Sequence, residues 1–304
     1  MKRKMLFIYN PHAGLARIRS FLLDIIDIFA KAEYEVTVHP TQRQGDAIIT
    51  TRERSGEFDL VVCSGGDGTL DEVVSGMLQS DTRVPIGYIP AGSTNDFAQS
   101  LKIPSDMLQA ANTIVSGRLA ECDMGKFNSN SFVYVAAFGM FTDVSYMTDQ
   151  TLKNNLGHLA YIIEGIKRLP QTKAYHMNIE YDGETIEGEF LFGMVSNSVS
   201  VGGFNGVTGP NVILNDGLFE VTLVKNPIEM QDFTDLMAAL VGGEQDNRFF
   251  YNFKAKQLKI TSSEEVPWTL DGEYGGKPKV VELENMHCAI KIIVPSGEEL
   301  PCLI

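Results

Sequence analysis

The chain has 304 residues, 44% apolar and 21% charged, which excludes a disordered or collagen-like protein and favours two domains over one core. It carries 25 basic and 39 acidic side chains, a formal net charge of −14, which argues against gripping nucleic acid and against unaided attraction to an anionic membrane. The excess is uneven: residues 1–56 hold nine basic and six acidic side chains, net +3, while residues 57–304 hold 16 and 33, net −17.

In chain order, Met5–Tyr9 is a short apolar run that predicts a buried strand, followed by the loop Asn10–Gly14. Ile18, Phe21, Leu22, Ile25, Ile26 and Phe29 recur at helical spacing. Tyr34–His39 alternates as a second strand, and Asp46–Arg54 reads as a second helix. Leu60–Cys63 is a third strand, leading through Ser64-Gly65-Gly66-Asp67-Gly68 into a helix from Thr69 to Leu78. Pro85–Ile89 is a fourth strand that runs into Pro90-Ala91-Gly92-Ser93, and Pro104 opens another helix. This alternation predicts a parallel sheet with helices on both faces.

Beyond residue 120 the pattern changes. Val133–Ala137, Met177–Tyr181, Ile186–Ser196, Leu218–Val224, Leu258–Thr261 and Ala289–Val294 read as strands, separated by turns such as Asp182-Gly183 and Asp216-Gly217. Helices are expected over Leu156–Arg168 and Glu229–Leu240. The fold class is therefore α/β: an N-terminal parallel-sheet unit, residues 1–125, and an antiparallel β-sandwich, residues 126–304. The final strand is a candidate to pack back on the first unit. The polar stretch Asp123–Asn128 marks the boundary.

The four cysteines form no C-x-x-C pair and no disulfide scaffold. Met5–Tyr9 is too short for a signal peptide, and the longest apolar stretch, Phe132–Phe141, is too short to span a bilayer. The expected location is a reducing cytoplasm. The five histidines have no metal-ligand spacing.

Three loops fall at the carboxyl ends of predicted parallel strands, the edge where open α/β sheets bind ligands. They are Asn10-Pro11-His12-Ala13-Gly14, Gly65-Gly66-Asp67-Gly68-Thr69 and Gly92-Ser93-Thr94-Asn95-Asp96. Backbone N–H groups ahead of a helix make an anion cradle, and phosphate is its natural guest. Singly, each loop reads equally well as a tight strand-to-helix turn; three on one edge favour the cradle. No Walker or dinucleotide fingerprint is present. Asp67 would repel bare phosphate, so a Mg-nucleotide fits the loop better, and phosphoryl transfer follows.

The ordered set N-P-x-x-G, GGDGT, P-A-G-S-T-N-D-F-A (Pro90–Ala98), N-D-G-L-F (Asn215–Phe219) and L-D-G-E-Y-G-G (Leu270–Gly276) resembles the diacylglycerol kinase catalytic domain over nearly the whole chain. It is most similar to the soluble bacterial branch, which phosphorylates diacylglycerol to phosphatidic acid with ATP. The resemblance implies a nucleotide-binding α/β domain, a β-sandwich and an active site between them. It implies ATP contacts from Asn10, Pro11, His12, Ala13, Gly14, Thr41, Gly65, Gly66, Asp67, Gly68, Thr69 and Glu72. The family's threonine in the third loop is Ser93 here, which keeps the hydroxyl, and Thr94 is an alternative donor. Asp67 and Asp96 are implied near a catalytic Mg²⁺, and Glu273 as the general base. Asp216, with the carbonyls of Ile213 and Leu218, is implied to hold a second, structural Mg²⁺.

Read without the resemblance, Asp216-Gly217 and Asp271-Gly272 are hairpin turns and Glu273 is a solvated acid. Asp123 reads equally as an acid ordering the Mg²⁺ water network or as a loop carboxylate. Arg17 and Arg19 either face phosphates or lipid head groups or form a solvated helix face. Tyr146–Arg168 reads as a bilayer contact or, more commonly for such a stripe, a packed helix. Two alternatives stay open: a kinase of another lipid alcohol (sphingoid base, monoacylglycerol or phosphatidylglycerol), and a non-catalytic nucleotide- or lipid-binding regulator. NAD kinase fits the first and third loops less well. A homodimer is suggested by the family but not demanded by the residues. The expected partners are ATP and a membrane lipid met by brief peripheral contact.

Overall fold

The computed structural model describes residues 2–14, 16–139, 173–201, 204–205, 211–229, 231–236, 248–297, 300 and 303. Strand β1 (Arg3–Tyr9) forms where the sequence is continuously apolar, and Met5 to Ile8 have no exposed surface. Helix α1 (Ile18–Lys31) then buries the stripe Ile18, Ile25 and Phe29. Strand β2 (Tyr34–Pro40), helix α2 (Asp46–Arg54), strand β3 (Leu60–Gly65), helix α3 (Asp67–Gln79) and strand β4 (Ile86–Pro90) complete the alternation. Helices α4 (Asp96–Ser100) and α5 (Met107–Ser116) follow. Asp106 caps α5, accepting from the N–H groups of Leu108 (3.1 Å) and Gln109 (2.9 Å).

The parallel strands stand in the order β4-β3-β1-β2. The chain leaves β1 for β2 on one side, then crosses to β3 on the other. The switch point therefore lies between β1 and β3, and their carboxyl ends open the crevice where such sheets bind ligands.

The second half is antiparallel. It comprises β5 (Arg118–Phe127), β6 (Asn130–Phe132), β7 (Val135–Gly139), β8 (Tyr175–Tyr181), β9 (Glu184–Ser196), β10 (Ser200–Val201), β11 (Phe204–Asn205), β12 (Phe219–Lys225), β13 (Phe250–Ala255), β14 (Gln257–Ser262), β15 (Trp268–Leu270), β16 (Glu273–Gly276) and β17 (Val280–Val294). The α/β fold with an antiparallel C-terminal region is as the sequence predicts. Of the two helices expected there, Leu156–Arg168 lies outside the described residues, as does the wider stripe Tyr146–Arg168. The other is described as helical over 231–236.

Strand β17 joins the halves. Its first residues pair with β14 (Val281↔Ile260), its length pairs with β5, and its last turn of sequence lies parallel to β4 (Ile292↔Ile86). Sequence reading treated Asp123–Asn128 as a polar divider, but β5 runs through it with Cys122, Asp123 and Met124 buried. Three apolar clusters result among the described residues. One fills the parallel unit and takes in Ala289–Val294. A second centres on Trp268, whose ring meets Phe138 (4.9 Å) and Phe127 (5.1 Å), and a small third gathers Leu191, Val224, Leu236, Phe249 and Phe250.

Candidate active site

The three glycine loops meet at the switch point. The Gly65 carbonyl accepts from the N–H of Ala91 at 2.7 Å. Gly14 has φ +55°, and a Cβ there would stand 2.4 Å from the Ala91 carbonyl oxygen. A Cβ on Gly92 would stand 2.6 Å from the Cα of Gly66. Only glycine allows this convergence. At Gly68 a Cβ would meet nothing within 4 Å, so the front of the cradle is open.

Side chains set the loops. The Asn10 carboxamide accepts from the His12 N–H (2.9 Å) and donates to Thr69 Oγ1 (3.5 Å). The Ala13 N–H donates to the Asn10 carbonyl, and the Thr41 N–H donates to the Tyr9 carbonyl, which places Thr41 beside the end of β1. Asn95, in the left-handed region (φ +54°), clasps its own loop: Oδ1 accepts from the Gly92 N–H and Nδ2 donates to the Gly92 carbonyl, both at 2.9 Å. The Tyr88 hydroxyl donates to the Gly65 carbonyl and to Asn95 Oδ1. Pro11 and Thr94 are half-buried, and Ser93, Arg17 and Arg19 are exposed.

Two carboxylates stand in the crevice. Asp67 begins α3, and its Oδ2 accepts the Asn95 N–H at 2.8 Å. Its Oδ1 is buried with no partner. Burial first, then the Asp96 carboxylate, push the Asp67 carboxyl up to about 7. Asp96 begins α4, is 1% exposed, and accepts from the Ser200 hydroxyl at 2.6 Å. An orphaned carboxylate oxygen beside a second buried carboxylate, under a phosphate cradle, is a donor set that fits a hard divalent cation.

Glu273 opens β16 and is exposed. It follows the turn Asp271-Gly272 (φ +49° and +86°). Asp271 is buried, and its carboxylate accepts the N–H groups of Val133 (2.6 Å), Tyr134 (3.0 Å) and Val135 (2.9 Å). Its side chain is also hydrogen-bonded to Asp71 of α3. This turn thus brings Glu273 to the helix of the glycine loop.

Other predicted residues are placed differently. Both oxygens of Glu72 are used on α2, accepting the Gly45 N–H (2.7 Å) and the Ala47 N–H (3.2 Å), so its link to the cradle is indirect. Asp123 is fully buried and serves as a clamp. Oδ2 accepts the Gly217 N–H (2.7 Å), and Oδ1 accepts the Cys288 N–H (2.7 Å) and the His287 Nδ1–H (2.9 Å). It ties the Asn215–Gly217 turn to the irregular step in β17 between Met286 and Ile290. Asp123, His287 and Cys288 also group three donors within 4.8 Å. Linear spacing missed them because strand pairing assembles them.

Asp216 is paired with a lysine. Its Oδ1 accepts the Leu218 N–H (3.0 Å), and its Oδ2 is ion-paired with Lys254 Nζ at 2.9 Å. Lys254 also lies 3.0 Å from Glu220 Oε1 and donates to the Asn211 carbonyl. An ammonium thus supplies positive charge at the carboxylate that the resemblance assigns, with the Ile213 and Leu218 carbonyls, to a structural Mg²⁺. Sequence reading also passed over Asn95, Ser200 and Lys254. Asp71 lies four residues after Asp67 and so on the same face of α3, but the predicted helix starts at Thr69 and leaves Asp67 out of that register.

Residues 4–127 match the family described as diacylglycerol kinase catalytic domain, and residues 134–294 match the YegS C-terminal NAD kinase beta sandwich-like domain. The chain is 37% identical over 299 residues to a diacylglycerol kinase of Bacillus subtilis (strain 168), covering 97% of each chain. It is 36% identical over 280 residues to a diacylglycerol kinase of Staphylococcus carnosus (strain TM300), covering 91% of this chain and 90% of that one. A crystal structure of a diacylglycerol kinase from Bacillus anthracis str. Sterne superposes with a TM-score of 0.76 at 26% identity, covering 97% of this chain and 98% of that one. The chain belongs to the diacylglycerol kinase family of lipid kinases. Among the described residues, no helix is long and apolar enough to cross a membrane.

Proposed function

We propose that the chain transfers the γ-phosphate of Mg-ATP to the free hydroxyl of diacylglycerol, giving phosphatidic acid. What supports this is that the side chain of Asp271, two residues before Glu273, reaches Asp71 on the glycine-loop helix. In this reading Glu273 is the proton acceptor for a hydroxyl that arrives at the phosphate cradle.

In this reading the N–H groups of the three loops bind and orient the phosphates at the start of α3. Asn95 holds the Gly92 loop shut and keeps Asp67 in place. Ser200 fixes the rotamer of Asp96. Asp67 and Asp96 would hold the catalytic Mg²⁺, which when bound neutralises charge on the phosphates. Glu273 accepts the proton at its carboxylate as the acceptor hydroxyl attacks. The exposed Tyr274 beside it offers an apolar surface at the point where lipid must arrive. We place the division of the chain at residues 125/126, with Ala289–Val294 returned to the first core. We also infer a cytosolic enzyme that visits the bilayer briefly. Repulsion between its acidic surface and anionic lipid is screened beyond about 8 Å at physiological salt.

The test is thin-layer assay of the purified chain with radiolabelled ATP and a panel of lipid alcohols, with Glu273→Gln alongside. Diacylglycerol is expected to be labelled. The variant should bind ATP as tightly as the parent while kcat falls at least ~100-fold. Transfer to another lipid alcohol but not to diacylglycerol would overturn the substrate, and undiminished turnover in the variant would overturn the base.

A further inference from the structure

Asp71 and Asp271 form a buried pair that the mechanism above does not use chemically. Their side chains are hydrogen-bonded to each other. Two carboxylates cannot share a hydrogen bond without a proton, so the pair holds one. Geometry says which residue carries it. The Asp271 oxygens already accept three backbone N–H donors, a concavity built for an anion. Asp71 has one buried oxygen, Oδ1, with no partner. The charged groups acting on it are Asp271, Glu72 of its own helix and Glu273, all acidic. Those acting on Asp271 include Asp71, and Asp271 in turn acts on Asp67 and on the Tyr134 hydroxyl, which donates to the Asp271 carbonyl at 3.2 Å. Burial and these neighbours hold the Asp71 carboxyl well above its ordinary range. Asp271, relieved by its N–H donors, rises only to about 6.

We propose that Asp71 is a positioning residue that works as a neutral carboxylic acid, docking the Asp271 turn, and with it Glu273, onto the helix that carries the phosphate loop. No chemical step passes through it. Its O–H donates to the Asp271 carboxylate, and that bond fixes the distance between the base and the cradle. The inference rests on Glu273 being the base, as proposed above.

Three variants and an optical readout test it. Asp71→Asn keeps the shape and an N–H donor but cannot ionise. Asp71→Ala removes the bond. A hydrogen bond to a charged acceptor corresponds to about 10–100-fold in rate when lost. Asp71→Ala should lower kcat by about that factor with little change in KM for ATP. Asp71→Asn should recover most of the loss and hold kcat further into alkaline pH than the parent. Independently of turnover, the parent at neutral pH should show a protonated-carboxyl infrared band. One component of that band should be retained in Glu273→Gln and lost in Asp71→Asn, the remaining intensity coming from Asp67 and Glu220, both raised to about 7. The proposal fails if Asp71→Asn is folded by circular dichroism yet as impaired as Asp71→Ala. It also fails if the parent-minus-Asp71→Asn spectrum lacks the band. If Glu273→Gln turns over normally while the band behaves as described, the base assignment fails and the proton on Asp71 stands. If Asp71→Ala does not fold, the parent, Asp71→Asn and the infrared band decide the matter.

Discussion

Replacing Asp67 by asparagine should stabilise the metal-free protein while removing its activity. The side chain keeps its shape, so packing is unchanged. What changes is an ionisable group whose Oδ1 is buried without a partner and whose carboxyl is pushed up to about 7, by burial first and then by Asp96. In the unfolded chain the same group titrates near ~3.9. The folded value is the higher one, so the folded state resists losing this proton. The stability it contributes is fully present below about pH 4 and is lost as pH rises to about 7. About three pH units at about 1.4 kcal/mol each give a loss of about 4 kcal/mol by pH 8, of which about 2–3 develops between pH 5 and pH 8. Asparagine has no such loss. Weakening of the Asn95 contact to a neutral acceptor offsets about 1 kcal/mol at all pH values. Urea unfolding followed by circular dichroism, in EDTA without nucleotide, should find Asp67→Asn about 3 kcal/mol more stable than the parent near pH 8, and the gap should shrink by about 2–3 kcal/mol near pH 5. A gap that does not change between those pH values, or a parent more stable at the higher one, would refute the reasoning. Kinase assay of the same variant should find turnover lost.

Lys254→Met strips the cation from the buried Glu220, already raised to about 7 by burial, and from Asp216. Because Lys254 is partly exposed, the expected cost is about 1–2 kcal/mol near pH 8 by urea unfolding, and less near pH 5, where Glu220 takes up a proton. Gly14→Ala puts a Cβ 2.4 Å from the Ala91 carbonyl oxygen at φ +55°, so it should destabilise the fold by about 1–3 kcal/mol and raise KM for ATP. Gly68→Ala meets nothing within 4 Å and sits in the first turn of α3, so the unliganded fold should keep its stability or gain up to about 1 kcal/mol. Its KM for ATP should nevertheless rise if phosphate fills that space, and an unchanged KM would place the phosphates elsewhere.

Much of the parallel half was legible because its signals are local. Met5–Ile8 and Leu60–Cys63 are apolar runs, and both are buried strands of the sheet centre. Gly66-Asp67-Gly68 had to be a strand-to-helix turn, and α3 begins there, two residues before the predicted start. Two polar residues are buried in a way no local pattern shows. Asp123 read as part of a polar boundary stretch, and equally as an acid ordering a Mg²⁺ water network or a loop carboxylate; it is fully buried because Gly217, His287 and Cys288 arrive from distant segments to satisfy it. Asp271-Gly272 read as a hairpin turn and is the turn between β15 and β16, but that Asp271 is buried, with three N–H donors from residues 133–135, was not legible.

By itself, then, the sequence determined the order of elements, the three loops and the acids able to work beside phosphate, since residue type and short-range spacing carry that chemistry. Only the tertiary structure decided which acids are buried together, which backbone N–H groups reach them, and that Lys254 pairs with Asp216. The physical reason is that a carboxylate's state depends on the donors and charges packed around it. In this chain those come from strands as far apart as β5 and β17, whose pairing no local pattern records.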